Sequence, residues 1–162
     1  MKFILIFMLF FASNVKAEKY VIDGDSLTIG DKEIRLIGID APEYNQTCFD
    51  YNNLEYDCGQ EAYMFLKILV ENGLRQNQKL KCNKKGEDKY KRDLSECFIG
   101  KTNINKAMVK SGYAITYIYD TYQKHENKAK KLKRGIWQGK FMRPELFRIL
   151  NKYKNNKKNI SK

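Results

Sequence analysis

The chain has 162 residues, with 31 Lys and Arg against 19 Asp and Glu, a formal charge of +12 and a single histidine. The basic balance favours polyanionic partners, namely nucleic acid, anionic membrane or acidic polysaccharide. One isolated histidine, His125 on a polar stretch, argues against a histidine-based metal site and against a Ser-His-Asp triad.

Residues 1–17 read as a secretory signal peptide. Lys2 gives a positive start, "FILIFMLFFA" is a short apolar core, and Val15, Lys16 and Ala17 end in small residues at −3 and −1. The apolar run is shorter than the about 20 residues that span a bilayer. The expectation is a secreted or periplasmic, monomeric protein with no stable membrane partner after cleavage. Removing Lys2 and Lys16 with the leader leaves 29 basic against 19 acidic residues, a net charge of +10. The domain is placed at residues 18–150, and the Lys/Asn-rich tail 151–162 is expected to be disordered.

"SLTI" alternates as a strand, Gly30 and Asp31 mark a tight turn, and "KEIRLIGID" resumes the extended pattern until Pro42 ends it. Residues 44–58 read as a polar loop. A helix is expected over 60–72, with Ala62, Phe65, Leu66, Leu69 and Val70 on one face and Gly73 as its stop. "KLKC" and "LSECFI" are short strands around a charged connection. A second helix is expected over 105–111, an extended or bent "YAITYIY" follows, and a polar third helix covers 122–134. Five short strands with an inserted helix point to an α+β chain built on a small closed barrel, the OB-fold being the leading candidate.

Four cysteines, Cys48, Cys58, Cys82 and Cys97, are an even number in an exported chain, which favours two disulfides. Three pairings are possible. Cys48–Cys58, closing one loop, and Cys82–Cys97, linking adjacent strands, are preferred. The spacings lack the close pairs of a usual zinc motif.

Asp23, Asp25, Asp40 and Glu43 cluster at the ends of strands that should be neighbours, and carboxylates so gathered repel unless a cation or an arginine lies between them. "DGDSLTIGDKEI" is not an EF-hand loop, because Leu27 stands where a polar ligand is needed and the sixth position is not glycine. A hard cation would therefore be held by residues from separate strands. Arg35, inside an apolar strand, and Arg92, closing "EDKYKR", carry guanidinium forks that match phosphate.

"VIDGDSLTI", "IRLIGIDAPE", "GQEAYMFLKILV", "DKYKR", "INKAMVKSGYA" and "KAKKLKRGIW" occur in the order seen in the staphylococcal nuclease (thermonuclease-like) family, and the chain resembles that family over about residues 20–145. The resemblance implies a five-stranded OB barrel with three helices and a Ca²⁺-dependent nuclease acting on DNA and RNA. It implies that Asp25 and Asp40, with the backbone carbonyl of Ala41, bind calcium and that Glu43 is the general base. By the same resemblance Arg35 and Arg92 bind the phosphate, Tyr90 lies beside the nucleotide, and Tyr117 or Tyr119 gives a second contact. Lys91 departs from the pattern, since the family often has glycine there. The alternative is a non-catalytic OB module that binds single-stranded nucleic acid through stacking and a basic groove.

Overall fold

The computed structural model describes residues 21–160, so the expected signal peptide lies outside the described residues. Among them no helix is long and apolar enough to cross a membrane. Strands β1 (Ser26–Ile29) and β2 (Lys32–Leu36) form an antiparallel hairpin turned at Gly30, whose φ of +58° suits glycine. Alternation along β2 buries Ile34 and Leu36 and sends Arg35 to the opposite face. The expected continuous strand to Asp40 is broken. Gly38, at φ +77°, turns the chain, and β3 (Ile39–Asp40) leaves the main sheet to pair with β9 (Ile115–Thr116).

The expected loop at 44–58 contains a two-residue hairpin, β4 (Cys48–Phe49) with β5 (Glu55–Tyr56). Helix α1 (Cys58–Arg75) follows and buries Ala62, Leu66, Val70 and Gly73. Gly73 is not its stop. A Cβ there would come within 2.1 Å of the Ile99 side chain, so the glycine lets the helix lie against a strand. Strands β6 (Leu80–Glu87) and β7 (Asp93–Ile99) pair antiparallel, and β7 also pairs parallel with β2 and antiparallel with β8 (Thr102–Asn103). Helix α2 (Ile104–Lys110) is capped by Asn103, which accepts from the Lys106 N–H at 2.9 Å. A 3₁₀ turn at Asp120–Tyr122 leads into α3 (Gln123–Lys131).

Leu27, Leu36, Ile39, Leu66, Ile99 and Met108 make the main core between the strands, α1 and α2. Each such side chain contributes about 1.5–3 kcal/mol when fully buried, enough to make the sheet a firm base for the residues on its other side. Both expected disulfides are present, Cys48–Cys58 and Cys82–Cys97, the latter between directly opposed residues of β6 and β7.

The mixed α+β class stands, but two expectations change. Among the described residues the strands form one five-stranded sheet, β1-β2-β7-β6 with β8 on β7, and two separate two-stranded pairs rather than a closed barrel. The turn at Gly38 is the physical reason, because it takes β3 off the sheet. Among the described residues there are also four α-helices rather than three. The fourth, α4 (Pro144–Ile160), runs through most of the tail expected to be disordered. Pro144 at its first position, Glu145 in its first turn and Lys157 and Lys158 in its last favour the helix.

Candidate active site

The register of three strands gathers the charged residues. Ser26 lies opposite Arg35 in the β1–β2 pair, which places Asp25 beside Arg35, and the Asp25 carbonyl accepts from the Leu36 N–H at 2.8 Å. In the parallel pair Ile34 lies opposite Asp93, so Arg92 enters next to Glu33 on the same sheet. Asp40 ends β3, and Glu43 follows three residues on, close enough for one arginine nitrogen, Arg148 Nη1, to reach both carboxylates.

Arg35 is the hub. It donates through Nη1 to Asp25 Oδ1 and through Nη2 to Asp40 Oδ1 at 2.7 Å. Burial works against its charge, yet Asp25 and Asp40 raise its pKa above the ordinary value. Asp25 is fully enclosed. Its Oδ1 also accepts from Ser26 Oγ at 3.2 Å, and its Oδ2 accepts from the Ala41 N–H at 2.9 Å. Burial pushes its carboxyl up to about 7, against the pull of Arg35 and helped by Asp23 and Asp40.

Glu43 is half-buried at the edge of a cleft of about 800 Å³, and its backbone is tightly held. Gln46, fully buried, donates its N–H to the Glu43 carbonyl at 2.8 Å and accepts from the Glu43 N–H through Oε1 at 3.2 Å. Gly59 at the start of α1 approaches so closely that a Cβ would stand 1.7 Å from the Glu43 carbonyl oxygen. The Cys48–Cys58 disulfide fixes that approach one residue earlier.

Arg35, Glu43, Tyr90, Arg92 and Tyr117 all line the cleft. Asp88 builds the turn that carries Arg92. Its Oδ1 accepts from the Tyr90 and Arg92 N–H groups at 2.8 and 3.0 Å, and its Oδ2 from Arg92 Nε at 2.8 Å. Lys91 sits at φ +65°, so the residue standing where glycine is common is held in the left-handed region. Tyr90 is 69% exposed, with Arg92 and Lys89 over its ring at 5.7 and 5.1 Å. Tyr119 is exposed and does not line the cleft, whereas Tyr117 and Ile118 do. The backbone explains this. Ile118 is at φ +63°, and the Tyr119 N–H donates back to the Tyr117 carbonyl, which turns Tyr119 away.

Arg148 of α4 was not singled out by the sequence and stands at the centre of the site. Its Nη1 donates to Asp40 Oδ1 at 2.9 Å and to Glu43 Oε1 at 2.7 Å, and its Nη2 to Asp40 Oδ2 at 3.1 Å. Partial burial opposes its charge, but the bonds to Asp40 and Glu43 drive its pKa up. The available signal was "RPELFRIL", a proline, an acid and then helical apolar spacing, which announces α4 but not where it docks.

The donors offered are carboxylates and backbone carbonyls, which suit a hard cation such as Ca²⁺. Among the described residues no three His, Cys, Asp or Glu side chains surround one point, so Asp25 and Asp40 would need the Ala41 carbonyl and water to complete a shell. Asp40 and Glu43 converge on a single positive nitrogen, Arg148 Nη1, a protein cation standing between them.

The model of the staphylococcal nuclease homologue family matches residues 33–139. The chain belongs to that family. It is 31% identical to a thermonuclease of Staphylococcus hyicus, over 77% of this chain and 79% of that protein. It is 31% identical to the succinoglycan biosynthesis protein ExoI of Rhizobium meliloti, over 78% of this chain and 66% of that one. It is 30% identical to endonuclease YhcR of Bacillus subtilis over 72% of its own length, but spans only 11% of that longer protein. The family match runs from within β2 to beyond α3 and so contains Arg35, Asp40, Glu43 and Arg92. Asp25 and Arg148 lie outside its limits.

Proposed function

We propose that this protein is a secreted, calcium-dependent nuclease that hydrolyses phosphodiester bonds of DNA and RNA. The observation that carries the reading is the meeting of Arg35, Glu43 and Arg92 on one cleft, backed by the buried Asp25 and Asp40, in a chain of a family with nuclease-named members.

The residues divide the work by chemistry. Asp25, Asp40 and the Ala41 carbonyl would hold calcium, which when bound supplies positive charge to the phosphate and acidifies water. Glu43 takes a proton from water as its oxygen bonds to phosphorus. Arg35 and Arg92 stabilise the charge on the pentavalent phosphorus while the bond to the 5′ oxygen breaks; that oxygen leaves as a hydroxyl, taking a proton from solvent, and the phosphate stays on the 3′ end. Arg92 must exchange its bonds to Asp88 for the phosphate. Tyr90 offers an exposed ring on which a base can stack, with Lys89 and Arg92 adding positive charge.

Purified mature protein should cut DNA and RNA with Ca²⁺, work little with Mg²⁺, and stop in a calcium chelator. Full activity in the chelator contradicts the metal assignment. Binding without any cleavage in calcium favours the non-catalytic binding module instead.

A further inference from the structure

We propose that Arg148 is a further residue of this site: a tethered cation that occupies Asp40 and Glu43 until calcium takes its place. The inference rests on the calcium-dependent reading above. Asp40 Oδ1 accepts from both Arg35 and Arg148, and Asp40 Oδ2 accepts from Arg148 as well. A carboxylate oxygen has two lone-pair sites, so Oδ1 is saturated and Oδ2 has one left. Arg148 Nη1 also engages Glu43 Oε1 at 2.7 Å, the group assigned as base. Asp40 already carries one guanidinium, Arg35, and a divalent cation added beside a second, Arg148, on the same buried carboxylate would meet strong like-charge repulsion. Arg148 must therefore leave Asp40 for the metal to enter and leave Glu43 for it to accept a proton.

The way α4 is attached suits this exchange. Its approach is fixed by Gln46 Nε2, which donates to the Met142 carbonyl at 2.7 Å, and Tyr117 Oη lies 3.4 Å from Glu145. The apolar residues Leu146, Ile149, Leu150 and Tyr153 are all exposed, so that stripe does not bury the helix against the core. The face turned inward carries Pro144, Phe147, Arg148 and Asn151, and Arg148 supplies its charge-assisted bonds. Displaced from the carboxylates, a guanidinium in the lining of the cleft has the substrate phosphate as its natural new partner.

The test is calcium binding by titration calorimetry on the full mature chain without substrate, for the parent, Arg148→Gln and Arg148→Lys. Arg148→Gln should bind calcium about tenfold tighter or more, because a competing charge is gone. Arg148→Lys, which keeps the charge but loses the fork, should return towards the parent. In the parent, calcium should also speed hydrogen exchange of the α4 amides after Arg148. Equal calcium affinity in parent and Arg148→Gln overturns the exchange while leaving the calcium-dependent reading intact, and weaker oligonucleotide binding in the same variant then makes Arg148 a phosphate ligand only. If neither protein binds calcium, the calcium assignment itself fails and the exchange falls with it.

Discussion

At the scale of single residues, the site depends on a few close approaches that make its charges tolerable. Arg35 is not an arginine lost in a strand. The period of β2 turns it away from Ile34 and Leu36 and towards Asp25 and Asp40, where each unpaired charge would be costly. Glu43 is aimed less by its own side chain than by its backbone, clamped between Gln46 and Gly59. Gly59→Ala is therefore expected to be severe, since the new Cβ would meet the Glu43 carbonyl oxygen at 1.7 Å and the Tyr44 carbonyl carbon at 2.9 Å, and backbone must move. A displacement of about 1 Å at a general base costs on the order of 10²-fold in turnover. The expected outcome is a large fall in kcat with oligonucleotide binding largely kept. Unchanged kcat would show that Glu43 is not positioned from α1.

At the scale of elements, much of the order was legible. The cores of β1, β2, α1, β6, β7 and α2 fall where alternation and helical spacing put them, though α1 runs past Gly73 and β6 extends into the expected charged connection, and both cysteine pairs follow from neighbouring elements. The break before β3 was not legible, because "RLIGID" is equally extended on paper. Only the pairing of β3 with β9 gives the turn at Gly38 a partner. α4 was missed because lysine and asparagine dominate its second half, and its docking runs against the usual rule: the charged Arg148 face turns inward and the apolar stripe outward. No periodicity argument finds that, since the attraction comes from carboxylates about a hundred residues earlier. β9 is in turn tied to α3 by Glu126, which accepts from the Thr116 N–H and pairs with Lys130. Burial penalises that carboxylate, but Lys130 and the Thr116 N–H hold its pKa below the ordinary 4.5. A depressed folded-state pKa gives stability that is present above the unfolded value and lost as pH falls through the folded one. Glu126→Gln should thus cost about 1–3 kcal/mol at neutral pH, and the deficit should shrink at about pH 2.5. Urea unfolding at both values checks this, and an equal deficit at the two would mean that the charge on Glu126 contributes nothing.

At the scale of the whole molecule, a basic chain of +12 presents a cleft in which Asp25, Asp40 and Glu43 each meet an arginine. Arg35 neutralises Asp25 and Asp40 from the sheet, Arg148 reaches Asp40 and Glu43 from α4, and Arg92, held by Asp88, lies beside the exposed Tyr90 ring at the β6–β7 turn. A surplus of positive charge steers a polyanion to the molecule, and the cleft decides what happens to it. Binding and cutting are therefore separable, and the central claim is that Glu43 belongs to cutting alone. Glu43→Gln keeps the size and polarity of the side chain and removes the proton acceptor, a loss of about 10²–10⁴-fold in rate for a general base. The direct measurement is oligonucleotide binding by fluorescence anisotropy beside cleavage rate in calcium, for parent and Glu43→Gln, with circular dichroism to confirm folding. The variant is expected to bind like the parent and barely cut. A folded Glu43→Gln protein that cuts at the parent's rate would contradict that claim.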